Sequence, residues 1–81
     1  MSSVAVPLCD LPVGATARVV EARLDSGSCQ MLQALGVTTE CQLRLCKKGE
    51  PCIVQVRAAR IGLSNIVARG IFVIPQAHDP A

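Results

Sequence analysis

The sequence predicts a mainly β fold, a small antiparallel β-barrel with one or two short helices. The chain has 81 residues, of which 51% are hydrophobic and 17% are charged, and this length accommodates one domain around one core. Short segments alternate apolar and polar residues, as half-buried strands do, and glycine or proline separates these segments. We therefore expect a single domain over residues 1–81, with its core within about residues 7–75.

The first predicted elements are one helical turn and one strand. Leu8 and Leu11 are three positions apart and precede a proline and a glycine, which suits a single α or 3₁₀ turn that packs two leucines. Residues 16–24 alternate and include β-branched side chains. We predict that they form a strand with Val20 and Leu24 on its core face.

A short helix is predicted next. The Asp and Ser side chains of residues 25–28 can cap its first turn. Met31, Leu32 and Leu35 then fall on one side of the helix. Gly36 stands where a residue of left-handed conformation commonly ends a helix, so we expect the helix to end there.

Two further strands are predicted to form a hairpin. Residues 41–46 and residues 53–58 each alternate two aliphatic residues with polar ones, as half-buried strands do. Between them, residues 47–51 contain a glycine followed two positions later by a proline, which is typical of a turn. The predicted core positions of this hairpin are Leu43, Leu45, Val54 and Val56.

The last predicted elements are a helical turn and a closing strand. Ile61 and Leu63 are apolar on alternate positions, and Ser64 or Asn65 can cap one turn after them. Residues 71–74 then read as a strand that closes the barrel. Five short strands with a small helix after the first match an antiparallel barrel of SH3-like type.

Composition argues against nucleic-acid binding and against catalysis. Phe72 is the single aromatic residue and the formal net charge is +2, so neither base stacking nor counterion release would drive binding to nucleic acid. His78 is the single histidine, and the sequence contains no Ser-His-Asp or H-E-x-x-H arrangement and no phosphate-binding glycine loop. We expect no enzymatic activity and no nucleic-acid partner.

The sequence also bears on location and assembly. No segment is long and apolar enough to cross a bilayer, and residues 1–6 lack the basic and apolar regions of a signal peptide. We expect a cytoplasmic protein that is not embedded in a membrane. A small apolar barrel could also pair through an edge strand, so a homodimer is compatible with the pattern.

Five cysteines form an odd set without a C-x-x-C pair, which predicts neither a disulfide framework nor a zinc ribbon. Cys46 and Cys52 flank the hairpin loop and could lie opposite each other, either as a disulfide or as two soft ligands for a transition metal, iron or zinc. The alternative is that the cysteines serve as small hydrophobic residues.

Two exposed surfaces are candidates for partner binding. The hairpin tip and the outward faces of its strands could form a basic patch, for which the alternative is an ordinary solvated face. The Leu-Gly element could expose a leucine as a hydrophobic anchor, for which the alternative is core packing. The candidate residues are Arg44, Lys47, Lys48, Glu50 and Arg57 in the patch, and Leu32 and Leu35 in the helix.

The order and separation of several short motifs resemble the FeoA family, over about residues 8–74. These motifs are Leu8-x-x-Leu11-x-x-Gly14, Ala17-x-Val19, Leu32-x-x-Leu35-Gly36, Gly49-Glu50-Pro51, Ile61-x-Leu63 and Ala68-x-x-Ile71-x-Val73. The chain departs from the family at Glu40, where a turn glycine is usual, and at Ser64, where a basic residue is frequent. We expect a different turn or a weaker basic surface at these positions.

The resemblance implies a non-catalytic accessory or regulatory role in bacterial ferrous-iron uptake. It implies contact with the cytoplasmic G-protein domain of a FeoB-like transporter, and it carries over no catalytic residue. The family's domain is also similar to the C-terminal SH3-like domain of iron-dependent repressors. The alternative from a different class is therefore a metal-responsive or nucleic-acid-associated β-barrel adaptor.

Overall fold

The computed structural model describes residues 4–76, which form one six-stranded antiparallel sheet and two short α-helices. The sheet has the order β1-β6-β2-β3-β4-β5. The predicted mainly β fold with one or two short helices is confirmed. The elements are β1 (Val6–Pro7), a 3₁₀ turn (Leu8–Asp10), β2 (Thr16–Ala22), α1 (Ser26–Ala34), β3 (Gln42–Lys47), β4 (Cys52–Val56), β5 (Ala59–Leu63), α2 (Asn65–Arg69) and β6 (Ile71–Pro75).

The last strand does not close the sheet, which corrects the prediction for residues 71–74. β6 pairs with β1 on one side and with β2 on the other, so it lies inside the sheet. The sheet has a sixth strand because Val6 and Pro7 pair with the middle of β6, and two residues are too few for a pattern to reveal. β1 and β5 are therefore the two edges, and β5 is the longer one.

The core is aliphatic and draws on every strand except β1. On β2 it contains Ala17 and Val19, whereas Val20 is only half-buried, so the predicted core face of this strand is wrong. Leu24 lies beyond the strand but packs against the core, as predicted. Both faces of β2 carry aliphatic residues, and the pairing of Ala17 with Leu43 decides which face is buried. The buried apolar residues are Leu8, Leu11, Ala17, Val19, Leu32, Val37, Leu43, Leu45, Cys52, Val54, Val56, Ile61, Leu63, Ala68, Ile71 and Val73.

Helix α1 begins and ends as its sequence predicts. The carboxylate of Asp25 accepts hydrogen bonds from the backbone N–H of Ser28 at 3.2 Å and from its hydroxyl at 2.7 Å. These bonds from Ser28 lower the pKa of Asp25, because they stabilise the charged carboxylate. Gly36 has φ +89° just after the helix, which confirms the left-handed end. Within residues 4–76, neither helix is long and apolar enough to cross a membrane.

Helix α2 is short, and two side chains accept hydrogen bonds from the backbone N–H groups of its first turn. The hydroxyl of Ser64 accepts from the backbone N–H of Val67 at 3.3 Å, which confirms the predicted cap. The carboxylate of Glu50, from the β3–β4 hairpin, accepts from the backbone N–H of Asn65 at 3.1 and 3.2 Å. Because the first N–H groups of a helix have no partner inside it, Glu50 joins the hairpin to α2.

Candidate functional site

The predicted basic patch is divided between the two ends of β4. Lys47 and Lys48 lie at the β3–β4 hairpin, as expected. Arg57 does not lie on a strand face as predicted, because Val56 pairs with Ala59 and leaves Arg57 and Ala58 as a two-residue turn. At about 3.3 Å per residue, the length of β4 separates the two hairpin turns by roughly 16 Å.

The other two members of the patch also have separate surroundings. Glu50 is engaged by the N–H of Asn65, so its charge serves the fold. Arg44 lies on β3, paired across the sheet with Thr16 on β2 and Gln55 on β4. The structure therefore brings Arg44 toward the Arg57 end of the sheet and leaves Lys47 and Lys48 at the other end.

A surface groove runs past Arg57 and brings three of the seven candidate residues together. It consists of two adjoining depressions of about 540 and 630 Å³ that share Gly36, Thr38, Val56 and Arg57 in their walls. We call it the Arg57 groove. One part is lined by strand and loop residues that include Arg44, Glu40 and Gln55, and the other by Ala34, Leu35, Ala58 and Ala59.

Within residues 4–76, both non-glycine residues with positive φ line this groove. Arg57 has φ +57° and Glu40 has φ +76°, a conformation that costs an L-residue about 1–2 kcal/mol. Such outliers occur mainly at turns and at binding or catalytic sites. At Glu40 the resemblance described above leads one to expect a glycine, and a positive φ is the conformation that glycine adopts most readily. A different turn was predicted at Glu40, but Glu40 was not predicted as a site residue.

Local hydrogen bonds hold both residues in place. The carboxylate of Glu40 forms a 2.9 Å salt bridge with Arg18, and its backbone N–H donates to the carbonyl of Val19 at 2.7 Å. The side-chain amide of Gln55 donates to the carbonyl of Arg57 at 3.0 Å. Gln55 was not predicted as a site residue, because its hydrogen bond to Arg57 depends on the turn that follows β4.

The charge in the groove is unevenly balanced. Glu40 is neutralised by Arg18, whereas Arg44 and Arg57 are exposed and form no salt bridge within residues 4–76. Arg44 and Arg57 therefore give the groove a local positive charge. Their planar guanidinium groups suit carboxylates, which they can bind through two parallel hydrogen bonds.

Helix α1 adds an apolar side to this surface. Met31 and Leu35 are four residues apart, so they lie on one face of the helix, and they are 44% and 42% exposed. Leu32 is 2% exposed and packs in the core, so its proposed role as a surface anchor is corrected. The prediction that Met31, Leu32 and Leu35 share one side of the helix is thus wrong in part. At about 100° per residue, Leu32 lies roughly 100° from Met31 and roughly 60° from Leu35 around the helix axis, and it alone is buried.

The predicted pairing of Cys46 with Cys52 is wrong. The register pairs Leu45 with Val54 and Lys47 with Ile53, so Cys46 lies in an irregular step of β3 and has no direct partner. Cys52 faces the core. Burial raises the pKa of the Cys52 thiol, with a further contribution from Cys9, so the thiolate that a metal would need is disfavoured there.

The described residues contain no obvious metal centre. Within residues 4–76, no three or more His, Cys, Asp or Glu side chains are grouped as metal ligands would be. Cys46 is half-exposed and its thiol donates to the carbonyl of Arg44 at 3.8 Å. His78 lies outside the described residues. Within residues 4–76, the arrangement is thus an exposed surface with charged and apolar parts.

Comparison with known proteins decides the family. The FeoA domain model matches residues 6–75. The chain belongs to the FeoA family. A sequence comparison with curated proteins returned no significant match. The FeoA of Stenotrophomonas maltophilia, solved with zinc and described as a prokaryotic SH3 domain protein, is 27% identical with a TM-score of 0.71, over 88% of this chain and 89% of that one. This FeoA chain thus has the predicted SH3-like fold and belongs to a family associated with ferrous-iron transport.

Other solved structures share the fold of this FeoA chain at lower identity. An iron uptake regulatory protein (FeoA) is 21% identical with a TM-score of 0.83, over 90% of this chain and 100% of that one. A manganese-dependent transcriptional repressor is 19% identical with a TM-score of 0.83, over 94% of this chain but 44% of the repressor. The FeoA chain therefore corresponds to less than half of that repressor, and the likeness shows the fold alone.

Proposed function

We propose that this FeoA chain is a non-catalytic accessory protein of ferrous-iron uptake, which acts in the cytoplasm by binding the G-protein domain of a FeoB-like transporter. The match of the FeoA domain to residues 6–75 carries this proposal. A further support is that the S. maltophilia relative has been put forward as a bacterial ferrous iron transport activating factor.

The Arg57 groove and the adjoining face of α1 form the contact surface in this proposal. Binding sites between proteins combine a buried anchor with surrounding polar groups. Leu35 supplies an exposed anchor that already lines the groove, and Met31 extends the apolar area by one helical turn. Arg44 and Arg57 supply charges that are not neutralised within residues 4–76, and such charges fix orientation and speed association.

Binding of the purified chain to the cytoplasmic domain of the transporter tests the proposal. We expect Leu35→Ser to weaken binding by about tenfold or more, because truncation of an anchor costs at least about 1.4 kcal/mol. Ile66→Ser is the matched control, since Ile66 is 77% exposed on α2 and lies outside the groove. Absence of binding by the unmodified chain would contradict the transporter assignment, whereas equal losses in the two variants would contradict only the choice of surface.

Direct metal binding is a second candidate function, favoured by the zinc complex of the S. maltophilia relative. Two copies of the chain could share ligands, with half-exposed Cys46 as one of them. A zinc titration followed by sedimentation tests this idea. We expect zinc to promote a dimer that Cys46→Ser abolishes, and zinc without effect on sedimentation would contradict it.

A further inference from the structure

The outer edge of β5 carries unused backbone hydrogen-bonding groups. Val56 and Ala59 flank a two-residue turn, so they form a hydrogen-bonded pair. In an antiparallel ladder such pairs alternate with pairs that do not exchange hydrogen bonds. Arg60, opposite Gln55, and Gly62, opposite Ile53, belong to the second kind. Their N–H and C=O groups therefore point away from β4, toward the open edge.

No strand or loop of the described chain forms backbone hydrogen bonds with this edge. β5 is the last strand of the sheet, and within residues 4–76 no turn or loop hydrogen bond reaches the backbone of Arg60 or Gly62. The opposite edge differs, because β1 has two residues and one is Pro7, which has no N–H to donate. β5 is thus the edge that can accept another strand.

The charge beside this edge is positive. Arg60 pairs with Gln55 on β4, and Gln55 pairs with Arg44 on β3. Arg44 and Arg60 therefore lie on the same face of the sheet, and their Cα atoms are about 10 Å apart at the usual strand spacing. Arg57 lies at one end of β5, in the turn. None of these three arginines forms a salt bridge within residues 4–76. A neighbouring strand with acidic side chains would neutralise them.

A second copy of the chain fits this edge less well. Two β5 strands paired about a two-fold axis would set Arg60 opposite Gly62, so that all four outward residues exchange hydrogen bonds. The two Arg60 side chains would then be diagonal neighbours on one face, about 8 Å apart at their Cα atoms. Like charges at that distance disfavour the pair.

We propose that the β5 edge binds an extended acidic segment of another protein by adding it to the sheet as a seventh strand. In such β-strand addition the backbone supplies hydrogen bonds and alternate side chains supply specificity. Arg60 and Gly62 exchange hydrogen bonds with alternate residues of the segment, and carboxylates on the outer face meet Arg60 and Arg57. The inference does not rest on the transporter assignment, since it names a chemistry and not a particular partner.

An NMR titration with a simple peptide tests the proposal. The probe is an acetylated and amidated octapeptide of alternating threonine and glutamate, and its counterpart has lysine in place of glutamate. We expect the glutamate peptide to shift the backbone amide signals of Arg60 and Gly62 more than that of Ile61, whose N–H faces β4. The lysine peptide should leave all three unchanged. Equal shifts at the three amides, or no shifts, would overturn the proposal.

Two variants at one position sharpen the test. Gly62→Pro removes the outward N–H, while Gly62→Ala keeps it, and a Cβ at this position meets only Pro51 at 3.7 Å, an ordinary contact. We expect the proline variant to bind the glutamate peptide about tenfold more weakly than the alanine variant, because proline cannot donate. Equal affinity of two folded variants would overturn the proposal. If Gly62→Pro does not fold, the pattern of amide shifts in the unmodified chain still decides.

Sedimentation and charge reversal complete the experiment. Arg60→Glu should abolish the preference for the glutamate peptide, and retention of that preference would count against the role of charge. A dimer that forms at micromolar concentration and that Gly62→Pro dissociates would mean that the edge binds a second copy, contrary to the proposal. If Arg60 only protects the edge from aggregation, neither peptide should bind, and the proposal would be wrong.

Discussion

The two hairpins that share β4 make their turns with different residues and at different cost. The β3–β4 turn uses Gly49 at φ +114°, whereas the β4–β5 turn uses Arg57 at φ +57°. Glycine adopts positive φ freely, whereas the same conformation costs an arginine about 1–2 kcal/mol. The first hairpin is tied to α2 through Glu50, and the second presents its charge over a groove. We infer that the first hairpin serves stability and that the second keeps a strained residue for contact with a partner.

The largest expected effect on stability is at the relaxed turn. Gly49→Ala should lower the free energy of unfolding by about 1–3 kcal/mol, because φ +114° is a conformation that residues with a Cβ rarely adopt. The loss would come from the backbone alone, since nothing lies within 4 Å of an added Cβ. Urea denaturation measures it, with Lys48→Ala as the control. If the two variants were equally stable, the turn would not depend on glycine.

The next effect should be at the link between this hairpin and α2. Glu50→Ala removes the acceptor for the N–H of Asn65, and loss of a helix cap costs about 0.5–2 kcal/mol. Glu50→Gln keeps a neutral acceptor, so its stability should be intermediate. Thermal denaturation at neutral pH measures both. A Glu50→Ala variant as stable as the unmodified chain would mean that the carboxylate is free for a partner after all.

Much of the fold was predictable because local chemistry decides it. Gly36 ends α1 because glycine tolerates positive φ, and Ser64 caps α2 through its own hydroxyl. The alternating aliphatic residues of β3 and β4 face the core because a strand has two faces. These features depend on a few neighbouring residues, so the sequence carries them directly.

The site was less predictable because it depends on register. The turn at Arg57 contains no glycine or proline, so the sequence gives no sign that β4 ends at Val56. The irregular step between Leu45 and Lys47 displaces Cys46 from its expected partner. Charges that are close in sequence, such as Lys47 and Arg44, thereby end in different surroundings.

A smaller effect, of opposite sign, is expected at the strained turn. Arg57→Gly should be about 0.5–1 kcal/mol more stable than Arg57→Ala, because relief of the left-handed strain exceeds the entropic cost of glycine. Both variants lose the guanidinium, so both should bind the transporter's cytoplasmic domain more weakly. Denaturation and binding measured on the same samples separate strain from charge. If Arg57→Gly proved less stable than Arg57→Ala, the turn would not be strained, and the comparison of the two hairpins would lose its basis.

The smallest effect on stability should come from charge reversal at the hairpin tip, and this change tests the comparison most directly. Lys47 and Lys48 are exposed and form no salt bridge within residues 4–76, so Lys47→Glu with Lys48→Glu should alter the free energy of unfolding by less than about 0.5 kcal/mol. The matched variant is Arg44→Glu with Arg57→Glu, which changes the net charge equally.

If charge acts only by long-range steering, both double variants will slow association with the transporter's cytoplasmic domain to a similar extent. If the Arg57 groove is the contact surface, only the arginine variant will also dissociate faster. If only the lysine variant dissociated faster, the contact surface would be the hairpin tip with Lys47 and Lys48.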